Sequence, residues 1–203
     1  MIDRYRTIAV ATSARIQRKR SRFIAHVLPA ESLEEIEEEL ERVRRLHHDA
    51  RHVCHGYRLL AEPEPIVGFD DAGEPAGSAG LSILQQLEQE DLLYVLAIVV
   101  RYFGGVKLGI GGLVRAYGDA VREALDRGSI IERALETELA IFFSPDLTSA
   151  VMGTIHRHGA RVVRIEYDAE ARATVAVPPS GVAVFADALR EATGARARME
   201  VQS

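Results

Sequence analysis

Apolar positions along this chain recur at two periods, and the change from one to the other marks the predicted elements. Residues 5–28 alternate: Ile8 and Val10, then Ile16, then Phe23, Ala25 and Val27 occupy every second position, as half-buried strands do. The polar break Ala11-Thr12-Ser13-Ala14 predicts a hairpin between them. Ser32 and Glu35 form a capping box, and Leu33, Ile36, Leu40, Val43 and Leu46 follow at steps of three and four, which predicts an amphipathic helix with a glutamate-rich outer face. Val53–Leu60 reads as a further strand, whereas residues 61–80, with Pro63, Pro65, Pro75, Gly68, Gly73, Gly77 and Gly80, read as an extended loop. A short helix through Ile83, Leu84 and Leu87 precedes Leu92–Val100, an almost unbroken apolar run suited to a central strand buried on both faces. Gly104, Gly105, Gly109, Gly111 and Gly112 then crowd the junction before a helix bearing Leu113, Ala116, Tyr117, Ala120, Val121, Ala124 and Leu125, which stops near Gly128.

The remainder is patterned as a separate unit. Glu138–Phe143 is a strand, Ser144 and Pro145 open a helix through Leu147, Val151 and Ile155, and Arg161–Tyr167 and Arg172–Val177 alternate as strands. A helix with Phe185, Ala188, Leu189 and Ala192 follows Ser180, and Arg196–Val201 closes the set. That order is the ferredoxin-like β-α-β-β-α-β pattern. The expected class is therefore α+β, with domains at 1–134 and 135–203.

Composition limits the functions available. With 47% hydrophobic and 27% charged residues among 203, the chain can build a core. No apolar run approaches the ~20 residues that cross a bilayer, and Met1-Ile2-Asp3-Arg4 begins no signal peptide, so no membrane association and a cytoplasmic location are expected. Cys54 is the sole cysteine and excludes an intrachain disulfide. A net charge of −5 argues against indiscriminate coating of nucleic acid. Cations are nevertheless gathered in residues 1–30, where Arg4, Arg6, Arg15, Arg18, Lys19, Arg20 and Arg22 face Asp3 alone. Lysine occurs only at 19 and 107, which leaves most cationic contacts to the bidentate guanidinium fork.

The run from Arg101 to Gly118, RYFGGVKLGIGGLVRAYG, is the strongest chemical signal. Glycines let a backbone approach a ligand, and a helix N-terminus offers unpaired N–H groups with positive potential, so this junction suits an anion. Arg101, Lys107 and Arg115 would supply charge around it. It matches neither common nucleotide loop: Leu108 follows Lys107 where a P-loop needs Ser or Thr, and Val114 stands where the dinucleotide fingerprint needs its third glycine. The competing structural reading is that the glycines only make a tight connection between strand and helix.

With Gly73-Glu74-Pro75-Ala76-Gly77-Ser78-Ala79-Gly80 and His52-Val53-Cys54-His55-Gly56-Tyr57, this run resembles the signatures of the IMPACT/YigZ family. The resemblance implies an N-terminal domain folded like the second domain of a small-subunit ribosomal protein, and a C-terminal domain similar to one from translation elongation factors. It also implies a role in translation, since eukaryotic members compete for the coactivator of a starvation-sensing kinase. Two positions depart from the pattern. Ala72 stands where the family has the second Asp of an Asp-Asp-Gly-Glu-Pro motif, and Ser78 replaces a Thr, and the first change weakens any hydrolytic reading.

Three chemistries compete. His47, His48, Asp49, His52, Cys54 and His55 are zinc-ligand types within nine residues, but the spacing matches no zinc motif and strand alternation sets His55 opposite His52 and Cys54. Ser78 lacks the preceding glycine pattern of a nucleophile elbow, because Ala76 occupies one of its positions, and an N-cap role is simpler. Asp71 and Glu74 are the candidate catalytic acid and base. The leading expectation is a binding protein rather than an enzyme, with no cofactor and no metal. Its groove for RNA, the ribosome or a protein of the translation machinery would comprise Arg51, His52, His55, Tyr57, Arg101, Tyr102, Gly104, Gly105, Lys107, Gly109, Gly111, Gly112 and Arg115. The alternatives are an enzyme acting on a small phosphorylated or nucleotide-like substrate, or a protein-docking regulator. Sequence leaves the oligomeric state open.

Overall fold

The computed structural model describes residues 2–202, which divide into two compact units, Tyr5–Arg133 and residues 134–202 with 2–4. The class is α+β, with antiparallel sheets in both units.

In the first unit, β1 (Arg4–Ile8) pairs with β7 (Ile130–Ala134). The main sheet comprises β2 (Thr12–Arg18), β3 (Ser21–Pro29), β4 (His52–Leu59), β5 (Ile66–Asp70) and β6 (Val95–Tyr102), in the order β2-β3-β6-β4-β5. The central strand is β6, and Val95 through Val100 are fully buried, as the unbroken apolar run predicted. Its even-numbered residues Leu96, Ile98 and Val100 pack beneath α1 (Leu33–Leu46). Its odd-numbered Val95, Ala97 and Val99 face the core shared with α2 (Gly80–Gln89) and α3 (Ile110–Arg127). The cap of α1 forms with one change from the expected box: the Glu35 amide donates to Ser32 Oγ at 3.2 Å, but the Glu35 carboxylate accepts from the Glu31 amide at 2.7 Å, one residue before the cap.

Three local expectations change. The hairpin does not turn at residues 11–14, because β2 begins at Thr12 and Arg18 pairs with Ser21 across a two-residue loop. Lys19 and Arg20 fill that loop with φ of 45° and 69°, a type I′ geometry that matches strand twist even without glycine. The loop expected over 61–80 contains β5, an edge strand whose Ile66, Val67 and Phe69 stay about half exposed. Finally, Ser78 does not cap α2. Its hydroxyl is buried without a partner, and the Asp71 carboxylate caps the helix instead, accepting from Ala79 and Gly80 amides at 2.9 and 2.8 Å and from the Gly77 amide at 2.7 Å.

The second unit has β8 (Thr137–Phe143), α4 (Thr148–Arg157), β9 (Arg161–Glu166), β10 (Ala171–Val177), α5 (Val182–Thr193) and β11 (Arg198–Val201). Its sheet order, β11-β8-β10-β9, is that of a ferredoxin-like fold. One sheet face and both helices enclose a core of Leu139, Ile141, Phe143, Val151, Val175 and Phe185. Among the described residues, no helix is long and apolar enough to cross a membrane.

Candidate functional site

The end of the main sheet where β6 leaves and β4 enters opens a cavity of about 670 Å³. Asp49, Arg51 and His52 line it from the start of β4, Arg101, Tyr102 and Phe103 from the end of β6, and Lys107 to Ile110 from the turn into α3. Glu74 and Pro75 complete the wall with Leu113.

Its floor is a buried polar network. Arg101 is only 6% exposed, and its guanidinium ion-pairs with Glu74, whose Oε1 also accepts from the Tyr117 hydroxyl at 2.8 Å. The Arg101 Nε is fully buried without a partner. The guanidinium also lies 5.6 Å from the Phe23 ring centroid and 5.5 Å from that of Phe103. Behind this, Cys54 Sγ donates to the Asp71 carbonyl at 3.0 Å and approaches the Tyr117 hydroxyl at 3.4 Å. Burial pushes the Cys54 thiol up to about 12, which keeps it protonated and inert. Burial likewise drives the Tyr117 hydroxyl well above the ordinary tyrosine range.

The rim is the glycine turn. Gly105 and Gly109 have φ of 83° and 76°, conformations that glycine adopts without strain. Gly104 serves packing, since a Cβ there would stand 2.1 Å from the Arg20 carbonyl carbon. No side chain caps α3, whose Gly109 carbonyl accepts only from Leu113, so the amides of Ile110, Gly111 and Gly112 have no acceptor among the described residues. Arg51, Lys107 and Arg115 are exposed and form no ion pair among those residues.

Of the expected groove residues, Arg51, His52, Arg101, Tyr102, Lys107 and Gly109 line the cavity, with Gly111 and Gly112 in the adjoining first turn of α3. His55 and Tyr57 do not join them. They lie on the α1 face of the sheet, their rings stacked at 6.3 Å, because an odd step along β4 from His52 reverses the side chain. Gly104, Gly105 and Arg115 are outside the cavity lining. Asp49, weighed from sequence only as a zinc-type ligand, joins the cavity, and Pro75, Phe103, Leu108, Ile110 and Leu113, which lie within the two loops expected to build the groove, form an apolar wall that sequence reasoning gave no role. Phe103 and Ile110 carried a readable signal: they are large apolar residues within a glycine turn, and both are more than half exposed. Both candidate acid-base carboxylates are engaged in holding the loop, Asp71 by three amides and Glu74 by Arg101 and Tyr117.

The zinc-type residues also separate. His52 Nδ1 meets the Ala72 carbonyl at 2.9 Å, while His47 Nδ1 meets the Tyr102 hydroxyl at 2.9 Å, and that hydroxyl donates to Asp49 at 2.9 Å. No three metal-ligating side chains converge among the described residues. His47 and His26 sit with ring centroids 5.8 Å apart, each with a buried, unpartnered Nε2. Burial lowers the pKa of His26, His47 and His55, opposed at His47 by Asp49 and at His55 by Asp70. Each therefore binds a proton more readily when unfolded, so its contribution is complete above the ordinary value near 6.5 and is lost as pH falls below it. A melting temperature that drops between pH 7 and 5 is expected, in a window above the range where carboxylates titrate. A flat profile across that window would contradict the burial of these imidazoles.

The Impact N-terminal domain model matches residues 19–125, more than half of the chain. The chain belongs to the IMPACT family. A domain of unknown function, DUF1949, matches residues 154–196 in the second unit. The IMPACT family member YigZ of Escherichia coli is 34% identical over 85% of this chain and 85% of its own length. The IMPACT family member YvyE of Bacillus subtilis is 38% identical over 66% of this chain, and the match spans 62% of that protein. Among solved structures, one described as a hypothetical protein aligns with a TM-score of 0.70 and 29% identity, covering 100% of this chain and 99% of its own. That coverage extends the likeness in fold over both units.

Proposed function

We propose that this IMPACT family chain is a regulatory binding protein of the translation apparatus, which recognises RNA or the ribosome through the cavity at the mouth of α3. One observation carries the reading: the unpaired cations Arg51 and Lys107 and the uncapped start of α3 at Ile110 meet at one exposed cavity, with the unclaimed amides of Gly111 and Gly112 in the adjoining turn. An uncapped helix N-terminus attracts anions, and mobile cations that no carboxylate neutralises are available to phosphates. The family resemblance supplies the class of partner, translation.

Titration of labelled single-stranded RNA tests this. If Arg51, Lys107 and Arg115 each neutralise one phosphate, log affinity should fall with log salt at a slope of about −2, or roughly 20-fold between 50 and 200 mM. Lys107→Ala should flatten the slope by about 0.7 with no change in melting temperature, because the side chain is exposed and unpaired. Affinity that ignores both salt and this substitution would remove RNA as the partner.

A further inference from the structure

We propose that the cavity seats one nucleotide, free or at the end of a strand, as a phosphate monoester with its base against Phe103. This rests on the reading of the cavity as the anion site and specifies what fits it. Ile110 lines one wall, with the unclaimed amides of Gly111 and Gly112 in the adjoining first turn of α3. The donors that face the cavity without an acceptor are those of Arg51 and Lys107, exposed cations with no ion pair among the described residues, whereas Arg101 on the floor is already paired with Glu74.

Size and lining narrow the visitor. A volume of about 670 Å³ lies within the range of small-ligand sites and admits one nucleotide rather than a stretch of chain. Arg51, Arg101 and Lys107 outnumber Asp49 and Glu74 on the wall, and Glu74 is already neutralised by Arg101. The surplus of positive charge, together with the helix dipole, favours a dianion over the single charge of an internal diester.

The rest of the lining is apolar. Phe103 is 53% exposed at the rim, with Ile110, Leu108 and Pro75 beside it, and a bare aromatic ring next to an anion site provides a stacking surface for a base. Asp49, whose carboxylate is kept ionised by the Tyr102 hydroxyl bond, stands at the same wall as an acceptor for ribose hydroxyls.

Calorimetric titration of the full chain at low salt with AMP, adenosine and inorganic phosphate tests the proposal. AMP should bind about 10-fold more tightly than phosphate, and adenosine should bind weakest. Phe103→Ala should erase the advantage of AMP over phosphate, with a small fall in melting temperature because the ring also lies 5.5 Å from the Arg101 guanidinium. AMP no better than phosphate, or an equal loss of both ligands in Phe103→Ala, overturns the proposal. RNA oligonucleotides with 5′-phosphate or 5′-hydroxyl ends separate the two sources. A 5′-phosphorylated end bound more tightly than AMP assigns the seat to strand ends, and parity assigns it to free nucleotides. Equal binding of both oligonucleotides, with none of AMP, overturns the nucleotide seat yet leaves RNA recognition standing; loss of all binding removes both.

Discussion

Arg101→Ala is expected to lower the unfolding free energy by about 3–5 kcal/mol, because it strands the Glu74 carboxylate, 4% exposed, beneath the cavity. Tyr117 would remain as its donor, but a neutral hydroxyl replaces little of what a guanidinium provides. The substitution also removes a cation from between the Phe23 and Phe103 rings. Domains of this size have total stabilities of about 5–15 kcal/mol, so the variant should be close to unfolded at moderate urea. Urea denaturation reads the effect as a shift in midpoint at unchanged slope. The apolar pair Arg101→Met with Glu74→Leu should recover much of the loss, since a buried ion pair stabilises little more than a packed apolar substitute. An Arg101→Ala protein within about 1 kcal/mol of the parent would mean that water reaches Glu74 and that the floor is not dry.

What the sequence made legible follows from how local each signal was. Helix α1 was readable because period and cap both lie within Ser32–Leu46, and β6 because a strand covered on both faces is apolar at every position. Strand β5 was hidden: it is an edge whose apolar residues remain exposed among prolines, so neither alternation nor burial marks it. The hairpin turn was misplaced because Lys19 and Arg20 adopt positive φ without the Asn or Gly that announces such turns. At the site, the glycine run beside cations in Arg101–Gly112 was legible, and its Arg101, Lys107 and Gly109 line the cavity. The cap that Asp71 places on α2 joins residues eight and nine positions apart through a folded loop, which no helix-start rule anticipates. The grouping of Asp49 with Phe103 and Ile110 needed the adjacency of β4 and β6, a tertiary fact.

The glycines of the turn should divide under substitution, and the division separates architecture from ligand access. Gly104→Ala should destabilise by about 3 kcal/mol, since its Cβ would meet Arg20 C and O at 2.1 and 2.2 Å and Ser21 N at 2.5 Å. Those neighbours are backbone atoms of the tight hairpin turn and cannot rotate aside, and the Gly104 amide that donates to Ser21 Oγ at 3.2 Å would be displaced too. Gly111→Ala should act with the opposite sign. Residue 111 is helical, has no positive φ, and an added Cβ would meet nothing within 4 Å, so alanine should raise stability by about 0.5–1 kcal/mol. Neither packing nor backbone conformation asks for glycine there, which leaves close approach of a ligand to the α3 amides as its physical use. The same variant should therefore melt higher and bind RNA more weakly, a combination that general loss of structure cannot produce. Thermal melting and RNA titration on one Gly111→Ala preparation read both signs, and a variant that melts higher while binding undiminished would detach this glycine from recognition.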